Sequence, residues 1–247
     1  VGFKTVIYID IHENAVQTVQ VLKETLQIGP DIILQGDADV LKKYLQEENI
    51  SPELLIATDL IEHIYDLELF FEDILAINPS LHMLFTTASN PYNPILKRKL
   101  RKMMLHCEYE KENNFLSLRK QYIQEKFPET AEEQVIDWAK KTRGLRYQDI
   151  KEAIENQKFP TDLDAYNTCN PVDGSWAERI LAIKVYRDIL LKYEYELRVK
   201  KLYYPLQGDE KIKILLKKTL NMLIFLGGKV GIILSPVILL SCEKANK

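Results

Sequence analysis

Glu62 and His63 stand next to each other in the sequence and are the side chains best suited to proton transfer. They follow an apolar run, residues 53–58, and the acidic residue Asp59. A carboxylate or an imidazole in a cleft can act as a general base or hold a substrate by hydrogen bonds. We predict both as catalytic residues, because titratable groups that follow a buried run are well placed to line a cleft. The alternative is that Glu62 caps a helix and His63 packs in the interior.

Asp10, Asp37 and Asn90 close three other apolar runs in the same way. The runs are rich in β-branched and aromatic residues, which predicts strands, and apolar residues at helical spacing follow them. Strands that alternate with helices form a mostly parallel sheet, and ligands bind outside the carboxyl ends of its strands. We therefore expect an α/β fold with these polar side chains along one edge of the sheet. The four runs are residues 5–11, 31–34, 53–58 and 80–87.

Residues 92–174 depart from this pattern and predict helices without a strand. We expect a core made of residues 1–91 and 175–247, interrupted by this helical insertion. An insertion of such length after a strand usually forms a lid or a substrate subdomain, because structureless loops so long are uncommon. The later core elements are predicted as a helix along 180–190, a strand along 193–203, a helix along 214–225 and a last strand within 230–242.

The segment NPVDGSWAER, residues 170–179, returns the chain from the insertion to the core. It carries four side chains that suit a site or a core, namely Asp173, Trp176, Glu178 and Arg179. One interpretation is that the segment closes over a substrate. The other is a turn and a helix cap, with Trp176 packed in the core.

Composition argues against several classes of protein. There are 33 Lys plus Arg residues against 36 Asp plus Glu, a formal net charge of -3, so no overall field attracts nucleic acid or an anionic membrane. Three cysteines without paired spacing argue against a disulfide framework or a thiolate metal site and fit a reducing, cytoplasmic compartment. Residues 219–242 are apolar, but glycine, lysine and proline interrupt them. We therefore predict a helix, a turn and a strand there rather than a membrane span.

Five stretches of the sequence resemble class I S-adenosylmethionine-dependent methyltransferases. The succession YIDIHENAV, LQGDADVL, LLIATDLIEHIYDLELFF and LHMLFTTASNPYN is similar to the second to fifth strand motifs of that family, in order and at usual spacings. The tail VGIILSPVILLSCEK is similar to the final strand, which in that family inserts antiparallel beside its neighbour. The resemblance implies an enzyme with a Rossmann-like fold, a mostly parallel sheet with an antiparallel last strand, and S-adenosyl-L-methionine as cofactor.

The resemblance also implies roles for individual residues. Asp10 matches the acid that holds the cofactor ribose, and a carboxylate suits two adjacent hydroxyls because it can accept a hydrogen bond from each. Asp37 matches the acid that meets the adenine amino group, with Ala38 supplying a backbone donor. Asp59 and Leu60 match the stretch that lines the methionine end. The implied cofactor-binding residues are therefore Asp10, Ile11, Asp37, Ala38, Asp59 and Leu60.

One element of the family pattern is missing from the sequence. These enzymes pass the cofactor over a glycine-rich turn after their first strand, because only glycine lets the backbone come so close. We expect that strand and turn to lie upstream of Val1, since the chain does not begin with Met and carries no such loop. The first strand is central in the family, so a sheet without it would expose two unpaired edges.

The acceptor of the methyl group is expected to be a small molecule or a saccharide, since no strongly basic surface is evident. A run of basic residues could grip phosphates. It alternates, however, with Leu96, Leu100 and Met103, so a solvated amphipathic helix is the preferred interpretation. The run comprises Lys97, Arg98, Lys99, Arg101 and Lys102.

Three alternative functions remain open at this point. Asp59, Glu62, His63 and His106 loosely resemble the metal ligands of small-RNA 2′-O-methyltransferases, but the match is incomplete and we assign no metal site from the sequence. A nucleotide-cofactor oxidoreductase could use Asp10 on a nicotinamide ribose. A degenerate methyltransferase fold could serve as a binding module without catalysis.

Overall fold

A computed structural model describes residues 2–161, 166–208 and 210–245 of the chain. It has an α/β architecture. The strands are β1 (Ile7–Asp10), β2 (Ile32–Gln35), β3 (Leu54–Thr58), β4 (His82–Thr87), β5 (Tyr195–Lys201) and β6 (Ile238–Lys244). The helices are α1 (Glu13–Leu26), α2 (Ala38–Glu47), α3 (Leu67–Ile77), α4 (Pro94–Leu105), α5 (Phe115–Lys126), α6 (Glu132–Lys141), α7 (Tyr147–Glu155), α8 (Ile183–Leu191) and α9 (Lys211–Leu226). A π-helical turn lies at His106–Glu110 and a 3-10 turn at Val230–Leu234.

The strands form two sheets, a parallel pair β1-β2 and a mixed four-stranded sheet in the order β3-β4-β6-β5. All four apolar runs are strands as predicted. They do not join in one sheet, since neither β1 nor β2 pairs with β3 among the described residues. The chain correspondingly divides into two compact units. The first unit is residues 1–53 and 68–81, and the second unit is residues 54–67 and 82–247. The predicted boundaries after residues 91 and 174 stay a prediction.

In the first unit, β1 and β2 run parallel, with Asp10 opposite Gln35 at their carboxyl ends. Gly36 then takes φ +155, and a Cβ on it would lie 2.6 Å from the side chain of Val40. Only glycine therefore lets the chain turn here from β2 into α2. The turn places Asp37 at the N-terminus of that helix.

In the second unit, β3 pairs parallel with β4, and β6 pairs antiparallel with both β4 and β5. Three strands thus point one way, and β6 points the other way between β4 and β5. This confirms the prediction of an antiparallel last strand. Alternate side chains of β4 are buried, as expected for a strand with one face on the core, and Met83 and Phe85 are completely buried.

Between residues 92 and 155 the described chain forms the helices α4 to α7 without a strand, as predicted, and the described residues from 157 to 174 are not helical. Helices α5, α6 and α7 share a core of their own, formed by Ile123, Val135, Ala139, Ile150 and Ile154. A buried ion pair ties this core to the π-helical turn. The Arg119 guanidinium bonds the Glu108 carboxylate and the Ala139 carbonyl, and the Thr168 hydroxyl also donates to Glu108.

The apolar segment 219–242 contains the end of α9, the 3-10 turn Val230–Leu234 and the start of β6. This confirms the predicted succession of helix, turn and strand. Across the described ranges, no helix combines the length and the apolar character needed to cross a membrane.

Candidate functional site

The turn that follows β3, in the second unit, carries four of the predicted residues, namely Asp59, Leu60, Glu62 and His63. Asp59 directly follows β3 and adopts a left-handed backbone conformation with φ 56°. Its backbone N–H donates to the Thr86 carbonyl at 2.9 Å, and the His63 N–H donates to the Leu60 carbonyl at 2.9 Å. Non-glycine residues in this conformation are uncommon and cluster at functional sites. Asp59 and Leu60 are exposed, whereas Glu62 is fully buried.

Glu62 does not cap a helix, since α3 begins only at Leu67. Its Oε1 accepts a 2.5 Å hydrogen bond from the hydroxyl of Thr87, the last residue of β4. Its Oε2 has no hydrogen-bond partner within the described part of the chain. Burial raises the pKa of Glu62 to about 7, the Thr87 hydrogen bond opposes this shift, and the charges of Asp59 and Glu178 add to it. A carboxyl group that titrates near neutral pH is suited to general acid–base chemistry.

His63 is half-buried and its ring orientation is fixed by the backbone. Its Nδ1 lies 2.7 Å from the Trp176 carbonyl oxygen. Because a carbonyl oxygen can only accept, Nδ1 must carry the proton of the neutral ring. The lone pair of a neutral His63 is therefore on Nε2, where it can take a proton or bind a metal.

The segment 176–179 runs beside Glu62 and His63 and completes the site. The Trp176 N–H donates to the His63 carbonyl and the Arg179 N–H donates to the Glu62 carbonyl, each at 3.1 Å. These two backbone bonds place Glu178 at the site. Of the two interpretations of this segment, the structure supports Trp176 as a core residue, because the indole is buried.

Glu178 is a site residue that the sequence did not single out as a partner of Asp59. Its carboxylate is buried and accepts a 2.8 Å hydrogen bond from the Ser89 hydroxyl. Burial raises the pKa of Glu178, while Ser89 and His63 lower it. Each of the residues Asp59, His63 and Glu178 offers one ligand atom, and these three atoms lie within 4.8 Å of one another. The three could together hold a cation.

Arg179 and Tyr186 border the site. The Arg179 guanidinium lies 4.3 Å from the centre of the Trp176 ring and donates to the Tyr65 carbonyl at 3.4 Å. Burial lowers the pKa of Arg179. Burial, followed by the charge of Glu62, raises the pKa of Tyr186. Tyr186 therefore stays neutral.

The first unit carries the residues predicted to bind the adenosine part of a cofactor. The Asp10 carboxylate accepts the His12 backbone N–H at 2.8 Å and the Tyr8 hydroxyl at 3.2 Å. Burial and then the charge of Asp10 raise the pKa of Tyr8. Ile11 is exposed beside them. The Gly36 N–H donates to the Asp10 carbonyl at 3.0 Å, so the two strand ends are held together.

Asp37 caps α2, because its Oδ1 accepts the backbone N–H groups of Asp39 and Val40 at 3.1 and 3.2 Å. Ala38 is the first residue of α2, where backbone N–H groups have no partner within the helix. An acceptor on Asp37 and a backbone donor on Ala38 could bind the polar edge of a ligand. The cofactor-binding roles of the six residues named from the resemblance stay predictions.

His106 does not belong to the group of possible ligands found among the described residues. It pairs instead with Glu110 one helical turn away, at 2.9 Å, and both are exposed. The basic run lies on α4, which is amphipathic as predicted, with Leu100 buried. Met103, expected on the apolar face, is exposed, and Met104 is buried in its place. Arg101 stacks on the ring of Tyr166 at 4.3 Å.

In comparisons with known proteins, no family model and no curated protein matches the chain. Function is therefore inferred from the residues and the fold alone.

Proposed function

We propose that this protein is a class I S-adenosylmethionine-dependent methyltransferase. The observation that carries the proposal is the position of β6, which pairs antiparallel between β4 and β5. In the family that the sequence motifs resemble, the last strand inserts antiparallel beside its neighbour. The pairing of the last strand agrees with the strand arrangement that these motifs imply.

The adenosine part of the cofactor is assigned to the first unit. Each oxygen of the Asp10 carboxylate accepts one internal hydrogen bond and keeps a further lone pair. Asp10 can therefore accept from both hydroxyls of a ribose. The Oδ1 of Asp37 caps α2, which leaves Oδ2 for the amino group of adenine. Ala38 supplies a backbone N–H at the helix N-terminus.

The acceptor is assigned to the second unit, beside Glu62 and His63. Methyl transfer is an in-line displacement in which the protein aligns the reactants and excludes water. Bound S-adenosylmethionine would supply the methyl group, with its carbon–sulfur bond breaking as the bond to the acceptor forms. A side chain of this chain would take the acceptor's proton. His63 Nε2 and the Glu62 carboxylate are the candidate bases, and a small molecule or a saccharide is the proposed acceptor.

A thermal-shift titration with S-adenosylhomocysteine tests the cofactor assignment. A ligand that binds only the folded protein raises its melting temperature with concentration. We expect this rise in the wild type and in the control variant His106→Ala, and its loss in Asp10→Ala. If the melting temperature of Asp10→Ala rises as in the wild type, the assignment of Asp10 to the ribose is wrong.

A further inference from the structure

We propose that Asp59, His63 and Glu178 bind a divalent transition-metal cation. The three side chains offer two carboxylate oxygens and one imidazole nitrogen, all within 4.8 Å of one another. A cation bonded to three such atoms holds them roughly 3–4 Å apart, given metal–ligand distances of about 2.1 Å. A mixed set of oxygen and nitrogen ligands suits Mn²⁺, Fe²⁺ or Zn²⁺.

Two of the three ligands are already oriented by neighbouring groups. The hydrogen bond from His63 Nδ1 to the Trp176 carbonyl directs the free Nε2 away from that carbonyl. Metal-binding histidines commonly donate their other N–H to a carbonyl in this way. The Ser89 hydroxyl holds Oε2 of Glu178, which leaves Oε1 for the cation. Such supporting contacts lower the cost of assembling a metal site.

A separate geometric observation concerns Glu62, the residue before His63. Among the described residues, Oε2 of Glu62 is buried without a hydrogen-bond partner. A buried oxygen without a partner is costly, and a ligand bound at this turn could supply one.

The cation site has open coordination positions. Three protein ligands with at least one remaining position are typical of metal sites that also bind water or a substrate. Asp59 is exposed, so the open positions are reached from solvent. With Nε2 bound to the cation, His63 orients the metal and no longer accepts a proton. The metal-binding proposal itself does not depend on methyl transfer.

Calorimetric titration of the chelator-treated protein with Mn²⁺, and separately with Zn²⁺, tests the site. We expect one cation to bind per chain. Glu178→Gln and His63→Ala should abolish binding, because each removes a ligand. Ser89→Ala should weaken binding about tenfold, since loss of an outer partner typically costs 10- to 100-fold in metal affinity. His106→Ala is the matched control, because this exposed histidine also has an acidic partner but lies outside the group.

Two results would overturn the proposal. One is a wild-type protein that binds neither Mn²⁺ nor Zn²⁺. The other is Glu178→Gln and His63→Ala variants that bind as the wild type does. Glu178→Gln keeps the side-chain volume and an oxygen that can accept from Ser89, and circular dichroism checks that each variant is folded. The same samples titrated with S-adenosylhomocysteine report separately on the cofactor proposal, so failure of one leaves the other interpretable.

Discussion

Thr87 donates a 2.5 Å hydrogen bond to Glu62, which joins the last residue of β4 to a buried carboxyl group in the turn after β3. The other carboxyl oxygen, Oε2, has no hydrogen-bond partner among the described residues. The Thr87 hydroxyl also accepts the Ser89 backbone N–H at 3.0 Å. It therefore links Glu62 to the segment that carries Ser89, the partner of Glu178.

Thr87→Val should destabilise the protein by about 1–3 kcal/mol, because it leaves a buried carboxyl group without its donor. The pKa of Glu62 should rise further, since this hydrogen bond lowers it. Chemical denaturation measures the change in the free energy of unfolding. Thr86→Val is the matched control, since Thr86 neighbours Thr87 on β4 but is less buried. Equal losses in the two variants would contradict the role given to the Thr87 hydroxyl.

The stability of the metal-free protein should fall as pH rises from about 5 to about 8. The pKa of Glu62 is raised from 4.5 to about 7, so in this window the folded state holds a proton that the unfolded state has released. Raising the pH therefore favours unfolding. The pKa of Glu178 is also raised by burial and acts in the same direction. Glu62→Gln cannot release this proton, and its stability should depend less steeply on pH. Denaturation at the two ends of this pH range measures the free energy of unfolding of the wild type and of Glu62→Gln. If both change equally with pH, the raised pKa of Glu62 is contradicted.

Arg119→Met should destabilise the protein by about 3–5 kcal/mol, because Glu108 then loses its buried partner charge. Arg119 is completely buried and Glu108 nearly so. The control is Lys43→Met, which breaks an exposed pair with Glu47. Exposed pairs contribute below about 1 kcal/mol. Urea denaturation measures the free energy of unfolding of both variants. Similar losses would show that the buried network does not stabilise helices α5, α6 and α7.

Gly36→Ala should cost about 1–3 kcal/mol, since an added Cβ meets Val40 at 2.6 Å in a conformation that only glycine adopts readily. Gly208 is the control, because it also has a positive φ, +129°, but nothing lies within 4 Å of an added Cβ. Thermal denaturation should show a larger loss for Gly36→Ala than for Gly208→Ala. The reverse order would mean that the turn into α2 rearranges easily.

The sequence predicted the strands of this fold well. Short apolar runs bounded by polar residues can be recognised locally, and Leu54–Thr58 and His82–Thr87 are strands formed by such runs. The same holds for the helix, turn and strand of residues 219–242. The division into two sheets was not predicted, because strand pairing depends on contacts between distant parts of the chain.

The candidate site was predicted only in part. Glu62 and His63 were found because they lie in the turn that follows a strand. Glu178 was not linked to Asp59, since their proximity depends on backbone bonds between residues 62–63 and 176–179, which no local pattern encodes. The only indication of a functional role for Glu178 was its position in residues 170–179, the segment predicted to return the chain to the core. His106 was considered as a metal ligand from its residue type, but it pairs with Glu110.

The most direct test of the central claim is calorimetric titration of the protein with S-adenosylhomocysteine and, in parallel, with NADH. A carboxylate at the position of Asp10 suits the ribose of either ligand, so the comparison separates the methyltransferase from the oxidoreductase alternative. The methyltransferase proposal predicts saturable binding of S-adenosylhomocysteine and no binding of NADH. Binding of NADH without binding of S-adenosylhomocysteine would contradict it.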